Sequence, residues 1–192
     1  MSIKINNLTI KYDDKTILNN FNLTINEKEH IAILGASGIG KTSFINAVMG
    51  LIDYEGEISL PKGTKICAVF QEDRLFEGLS VYRNIKMTSD LSSEAICDYI
   101  YKAGLNPHSK IYTLSGGMKR RTAILRAILA DFDLLILDEP FKGLDSDTKE
   151  TIIGLIMEKA SEKNVILITH NPSEASCLSS RIIDFSSFSY MK

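Results

Sequence analysis

Hydrophobic and polar residues alternate near the start of the chain. Two sets of apolar side chains show this alternation: Ile3, Ile5, Leu8 and Ile10, then Phe21, Leu23 and Ile25. Alternation with a period of two is typical of strands that bury one face. The pattern therefore predicts an antiparallel N-terminal β part, with the turn-rich stretch YDDKT between its first two strands.

Farther along, short unbroken apolar runs alternate with segments of helical periodicity. HIAIL, LLILDEP and VILITH contain runs typical of strands covered on both faces, and GEISL and KICAVF are further strand candidates. TSFINAVMG and SDTKETIIGLIMEKASEK have the apolar spacing of helices. Strands that alternate with helices predict an α/β fold with a mostly parallel sheet.

The middle of the chain has a different character. SSEAICDYIYKAGL reads as a helix capped by Ser92 or Ser93 and stopped at Gly104, and GGMKRRTAILRAILA reads as another. We interpret residues 73–125 as a helical lobe inserted into a core made of residues 1–72 and 126–192. All 192 residues would then form one domain.

Composition narrows the classes of function. The formal net charge of -2 provides no broad basic surface, so it gives no support for nucleic-acid binding. Cys67, Cys97 and Cys177 are too widely spaced for a metal pattern or a disulfide framework. No apolar run approaches the roughly 20 residues needed to cross a bilayer. If the protein acts at a membrane, we expect it to do so through a partner protein.

The stretch GASGIGKT matches the pattern G-x-x-x-x-G-K-[ST] and lies between a predicted strand and a predicted helix. Converging backbone N–H groups, the helix N-terminus and the lysine all favour a bound phosphate chain. A plain glycine-rich turn would not explain the Lys-Thr pair in this register. The predicted nucleotide-binding residues are Gly35, Ala36, Ser37, Gly38, Ile39, Gly40, Lys41, Thr42 and Ser43, with Thr42 also a ligand of Mg²⁺.

Two adjacent acids follow the apolar strand in LLILDEP. The carboxyl ends of parallel strands face the ligand crevice of an open α/β sheet. Asp138 is therefore a predicted Mg²⁺ ligand, and Glu139 is the predicted residue that orients and polarises the attacking water. A solvated turn before Pro140 is the alternative for this pair taken alone.

The stretch LSGGM, placed between the glycine loop and LDEP, gives the chain a family resemblance. In this order the three motifs resemble the ATP-binding subunits of ABC transporters, and the resemblance covers almost the whole chain. It implies a P-loop NTPase fold, with the mostly parallel sheet, N-terminal antiparallel β part and inserted helical lobe described above. The resemblance also suggests catalytic roles for Gln71, which would reach Mg²⁺ as well, and for His170, and nucleotide contacts for Asp145 and Tyr12, whose ring would stack on adenine. Taken alone, each of these smaller matches is weak, because a lone Tyr or Gln is normally a surface or core residue and a lone His after a strand is more often structural than catalytic.

The same resemblance implies a shared site. In the family, two subunits pack head to tail and enclose two ATP molecules, so Ser115, Gly116 and Gly117 would bind the γ-phosphate held by the other chain. Ser115 can also serve as an ordinary helix N-cap, and the two roles are compatible. Met118 stands where the family usually has glutamine, and we expect the backbone donors to preserve the function. The implied cofactors are ATP and Mg²⁺, and the implied partner is a second ATPase subunit, with a homodimer favoured.

The segment Val69–Ile85 is rich in large apolar residues next to Gln71. Singly, each of them is best explained as lobe core. In the family this region receives a cytoplasmic helix of the membrane permease, so we expect the permease to dock near Gln71–Ile85. The motif sequences are most similar to those of importer ATPases of the nitrate, sulfonate and taurine group, which includes relatives that move thiamine precursors. The implied location is cytoplasmic and peripheral, on the inner face of the cell membrane.

Two other readings compete with a transporter ATPase. A non-transport ABC ATPase of the DNA repair or translation type usually carries a long coiled-coil insertion or a second cassette, and this sequence shows neither. A P-loop kinase or binding module of another class would leave both Ser115–Gly117 and His170 unexplained.

Overall fold

The computed structural model describes residues 2–13 and 15–187. These residues form two β-sheets, with helices packed around the larger one. The strands are β1 (Ile3–Tyr12), β2 (Lys15–Ile25), β3 (His30–Leu34), β4 (Glu55–Ser59), β5 (Ile66–Val69), β6 (Leu134–Asp138), β7 (Asn164–Thr169) and β8 (Arg181–Asp184). The helices are α1 (Lys41–Val48), α2 (Val81–Lys86), α3 (Ser93–Lys102), α4 (Gly116–Ile128), α5 (Ser146–Ala160) and α6 (Pro172–Leu178).

The smaller sheet confirms the predicted antiparallel N-terminal part. Its strand order is β2-β1-β4, and Ile3 of β1 faces Ile25 of β2. The turn between β1 and β2 is shorter than the stretch YDDKT suggested, because Lys15 already belongs to β2; Asp14 lies outside the described residues. The strand β4, from GEISL, pairs with β1 and so belongs to this sheet.

The larger sheet is parallel throughout, with strand order β5-β6-β7-β3-β8. Every residue of β6 and β7 is buried, which explains why their apolar runs are unbroken. Because all strands point the same way, the segments that follow them emerge at one edge. The glycine loop, Gln71, Asp138 and His170 all come just after strands of this sheet.

The helical lobe contains α2, α3 and most of α4. Ser92 caps α3 by accepting a hydrogen bond from the Ala95 N–H, and Gly104 follows this helix with φ +66°. The short helix α2 was not predicted, since six residues show too little periodicity to be recognised. The helix α4 continues through Ile128, and its buried residues share one hydrophobic cluster with β6 and β7. The division at residue 125 stays a prediction.

Within residues 2–13 and 15–187, no helix combines the length and the apolar character that crossing a bilayer requires.

Three phenylalanines join the two sheets beneath the glycine loop. The rings of Phe21, Phe44 and Phe185 pack edge to face, with centroids 5.3–5.6 Å apart, and all three side chains are almost completely buried. A Cβ placed on Gly35 would lie 3.4 Å from Cβ of Phe185, so this cluster supports the first residue of the loop. Such aromatic clusters bury large apolar areas in preferred geometries.

We expect Phe185→Ala to lower the free energy of unfolding by about 3–5 kcal/mol, since it removes a buried ring and leaves a cavity. Urea denaturation followed by circular dichroism would measure the change. The matched control is Phe76→Ala, because the Phe76 side chain is 53% exposed; its effect should stay within about 0.5 kcal/mol. Equal losses for the two variants would contradict the structural role of the cluster.

Candidate active site

The glycine loop lines a pocket of about 390 Å³ at the carboxyl edge of the parallel sheet. Gly40, the last residue before α1, has φ +104°, and a Cβ there would lie 2.4 Å from Cγ2 of Ile17. Only glycine fits this backbone conformation and this close contact without strain. The lining residues are Ile17, Ser37, Gly38, Gly40, Lys41, Thr42, Ser43, Gln71, Glu139 and Lys142.

Lys41 is held against the loop that contains it. Its Nζ donates to the carbonyl oxygens of Gly35 at 2.7 Å and Ala36 at 2.8 Å, and the residue is 7% exposed. Burial lowers the pKa of Lys41, while the nearby charges of Glu139 and Asp138 oppose that shift. A buried cation at a helix N-terminus attracts anions strongly, because little solvent screens it.

Asp138, at the end of β6, faces the first turn of α1. One carboxylate oxygen, Oδ2, accepts a hydrogen bond of 3.3 Å from the Thr42 hydroxyl, while the buried Oδ1 has no hydrogen-bond partner. Burial raises the pKa of Asp138, and hydrogen bonding from Thr42 and Gln71 works in the opposite direction. A hydroxyl, an amide and a carboxylate with an unpartnered oxygen form a donor set that suits Mg²⁺.

Glu139 follows directly and has a strained backbone. Its φ is +46°, a left-handed conformation that is uncommon for glutamate, and its N–H donates to the Ile168 carbonyl of β7 at 2.9 Å. Its Oε1 lies 3.2 Å from Nδ1 of His170. Because a carboxylate only accepts, Nδ1 of His170 carries the hydrogen in this contact. The pair joins the ends of β6 and β7 at the pocket.

The glycines of LSGGM lie outside the pocket lining; Gly116 is exposed and Gly117 is half-buried. Ser115 caps α4, with its Oγ accepting from the Met118 N–H at 3.3 Å, and Gly116 opens the helix. A Cβ on Gly117 would lie 3.2 Å from the Gly143 carbonyl oxygen, a close contact that favours glycine. The Met118 side chain packs against the hydrophobic cluster of the lobe. Among the described residues that line the pocket, none comes from Ser115–Gly117.

Besides Ser115–Gly117, the structure leaves five predicted nucleotide contacts outside the pocket lining: Gly35, Ala36, Ile39, Asp145 and Tyr12. The Ile39 side chain is buried in the hydrophobic core beneath the loop. Asp145 caps α5 by accepting from the Thr148 N–H at 2.9 Å, and this bond lowers its pKa. Tyr12, at the end of β1, is 45% exposed. Their nucleotide contacts stay predictions.

Two pocket residues were not identified from the sequence. Ile17 reaches the loop from β2 through sheet packing, which leaves no local signal. Lys142 lies in the turn after Glu139, and its Nζ has no ion-pair or hydrogen-bond partner within the described part of the chain. The position of Lys142, three residues after Glu139, was the sequence signal that could have identified it. It adds a second positive charge to a pocket shaped for phosphate.

Comparisons with known proteins agree with this geometry. The family model described as ABC transporter matches residues 18–142. The thiamine import ATP-binding protein of Haemophilus influenzae is 35% identical, over 90% of this chain and 89% of its own length. An aliphatic sulfonates import ATP-binding protein of Rhodococcus jostii is 34% identical, over 90% of this chain and 74% of its own length.

Solved structures lead to the same family. An ABC transporter ATP-binding protein from Pyrococcus furiosus superimposes with a TM-score of 0.88 over 99% of this chain and all of its own, and at 22% identity it shows the fold. A bacterial ABC transporter cassette solved as a dimer gives a TM-score of 0.81 at 28% identity, over 95% of this chain and 93% of its own. The chain belongs to the ABC transporter family, as one of its ATPase subunits.

Proposed function

We propose that this chain binds MgATP in the pocket beside the glycine loop and hydrolyses it in a head-to-tail dimer that powers a small-solute importer. The observation that carries the proposal is the division of the machinery within one chain. Lys41, Thr42, Asp138 and Glu139 meet at one pocket, whereas Ser115–Gly117, of which Ser115 and Gly116 are exposed, lie outside its lining. A second chain would complete the site by presenting its own capped helix to the γ-phosphate.

In this proposal each residue performs one task. The loop N–H groups and Lys41 bind the β- and γ-phosphates, and Lys41 exchanges its carbonyl partners for phosphate oxygens. Thr42, Asp138 and Gln71 would hold Mg²⁺, which would neutralise phosphate charge when bound. Glu139 orients the attacking water and accepts its proton, so that the water oxygen bonds to the γ-phosphorus as the bond to the β-γ bridging oxygen breaks. His170 holds Glu139 in place and contacts the γ-phosphate.

Asp145 and Tyr12 complete the proposed nucleotide contacts. Asp145 precedes α5 in the turn that also carries Gly143, whose carbonyl lies against Gly117. A change at the nucleotide can therefore reach the helix start at Ser115 through this turn. Tyr12 is exposed at a strand end, so its ring is accessible to an adenine base.

Import is the transport direction that the similar proteins favour, since their names describe thiamine and sulfonate import. A permease would hold the subunit on the cytoplasmic face of the membrane and would dock near Gln71–Ile85. Two residues of that segment, Val81 and Ile85, are fully buried and belong to the lobe core. Phe76 is 53% exposed, so it is the residue of the segment best placed to contact a permease.

We expect Lys41→Ala to weaken ATP binding about ten- to a hundredfold, because the phosphates lose a charge-assisted hydrogen-bond donor. Isothermal titration calorimetry would measure the dissociation constant. Lys62→Ala, which removes an exposed lysine from a distant turn, is the charge-matched control. Unchanged affinity in the Lys41 variant would count against the pocket as the nucleotide site.

Glu139→Gln should retain ATP binding and slow hydrolysis on the order of 10²-fold or more, since the amide cannot accept the proton from water. The variant should also accumulate an ATP-bound dimer, which light scattering with and without ATP and Mg²⁺ would detect. Wild-type turnover would remove Glu139 from the mechanism. A monomer that binds ATP but never dimerises would contradict the homodimer.

Phe76→Asp should abolish co-purification of a multi-span membrane protein with the tagged chain while leaving its ATPase activity within about twofold, because a charge in an apolar contact disrupts docking. The comparison would use detergent-solubilised membranes of the native cells, with wild-type chain in parallel. If Phe76→Asp and the wild-type chain recover the same membrane protein, the docking surface lies elsewhere.

A further inference from the structure

Arg120, in the second turn of α4, is a buried charge whose hydrogen bonds and ion pair, within the described residues, all go to one short segment. The residue is 6% exposed. Its Nη1 donates to the Phe70 carbonyl at 2.5 Å, its Nη2 donates to the Gln71 carbonyl, and its Nε lies 3.3 Å from Oδ1 of Asp73. A planar guanidinium that uses several donors in fixed directions constrains its partners more tightly than a single ammonium would.

The segment that Arg120 contacts follows β5 and is neither helix nor strand. Farther along α4, Arg126 donates to the carbonyls of Arg74 at 2.9 Å and Asp73 at 3.2 Å. Arginine side chains of α4 thus occupy four carbonyl groups between Phe70 and Arg74. These hydrogen bonds attach the segment to α4, so its path depends on where α4 lies.

Gln71 is the member of this segment that reaches the pocket. It is one of the lining residues, and its side chain lies close enough to Asp138 to act on that carboxylate by hydrogen bonding. Arg120 touches Gln71 at the backbone carbonyl only, so it leaves the side-chain amide available to the pocket. The guanidinium therefore determines where the backbone of Gln71 lies without competing for its function.

The same helix also begins at Ser115, whose backbone and hydroxyl would bind the γ-phosphate of the partner's ATP. We propose that Arg120 is a positioning residue that ties Gln71 to α4, so that the helix end serving the partner's site and the glutamine serving this chain's own site move together. This inference rests on the proposed function, because it assigns Gln71 a role in hydrolysis. Arg120 itself touches neither the nucleotide nor the metal.

Arg121 provides the matched control. It is the next residue on α4 and has the same charge, but its Nη1 donates to the Ala103 carbonyl at the end of α3, at 2.6 Å, and its Nε donates to the Gly117 carbonyl at 3.4 Å. Arg121→Met therefore removes an equal charge and a comparable lobe contact without touching residues 70–74. If Arg120→Met acted only by weakening the packing of the helical lobe, Arg121→Met would have the same effect.

A double-mutant cycle tests the proposal on the purified full-length chain. We expect Arg120→Met to lower kcat for ATP about ten- to a hundredfold while KM changes less than about threefold, since a misplaced glutamine affects the reacting geometry more than binding. In a Gln71→Ala background the same substitution should cause no further loss. Any loss of kcat caused by Arg121→Met, which acts through Gly117 and α3, should persist undiminished in the Gln71→Ala background.

Hydrogen–deuterium exchange provides a readout that does not depend on turnover. Arg120→Met should accelerate amide exchange in residues 70–74, and Arg121→Met should not. If Arg120→Met does not fold, Arg120→Lys keeps the charge beside Asp73 and loses the planar fork, and it should show the same changes with smaller size.

Two results would overturn this inference and leave the proposed function intact. One is an unchanged kcat in the Arg120 variants; the other is losses of kcat that multiply when Arg120→Met and Gln71→Ala are combined. A wild-type chain that binds ATP but does not hydrolyse it would overturn the proposed function and this inference with it.

Discussion

The parallel pairing of β6 with β7 and of β7 with β3 is the constraint on which the site depends. These pairings align three strand ends, so that the glycine loop, the Asp138–Glu139 pair and His170 emerge side by side. The strands are separated by long stretches of sequence, and only their hydrogen-bond ladders bring their ends together. Complete burial of β6 and β7 holds that alignment by hydrophobic packing on both faces.

The site keeps charged groups in an environment that opposes charge. Burial shifts the pKa of Lys41 downward and that of Asp138 upward, in each case disfavouring the charged form. One oxygen of Asp138 has no hydrogen-bond partner, and Glu139 adopts a left-handed backbone conformation. Such features cost stability in a folded chain. A bound nucleotide and metal would supply partners for these groups, which is a physical reason for a site of this kind to bind them tightly.

The division of the machinery gives the subunit its dependence on a partner. In the proposed dimer, one chain would hold the phosphates in its pocket and present the helix end that the other chain's nucleotide needs. The two are connected inside the chain, because α4 is capped by Ser115 and contacts Gln71 through Arg120. Coupling of this type requires that both sites respond to the same movable element. A helix with buried arginine contacts to the pocket segment provides one.

The sequence alone was sufficient for the elements with strong local signals. Alternation at Ile3–Ile10 predicted β1, unbroken apolar runs predicted β3, β6 and β7, and the spacing of glycines with Lys41 and Thr42 predicted the phosphate loop. These signals are local because backbone conformation and burial act on neighbouring residues. The short helix α2 and the sheet to which β4 belongs had no such signal.

Only the tertiary structure decided which distant residues meet. Ile17 reaches Gly40 because the β1–β2 hairpin packs over the loop, and Arg120 binds Gln71 because α4 lies beside the segment after β5. The sequence around Arg120 does not distinguish it from Arg121, although Arg120 contacts the segment at Gln71 and Arg121 contacts the end of α3. The order of residues determined the elements and the chemistry of their loops, whereas contacts across the fold depend on packing that brings together segments far apart in the chain.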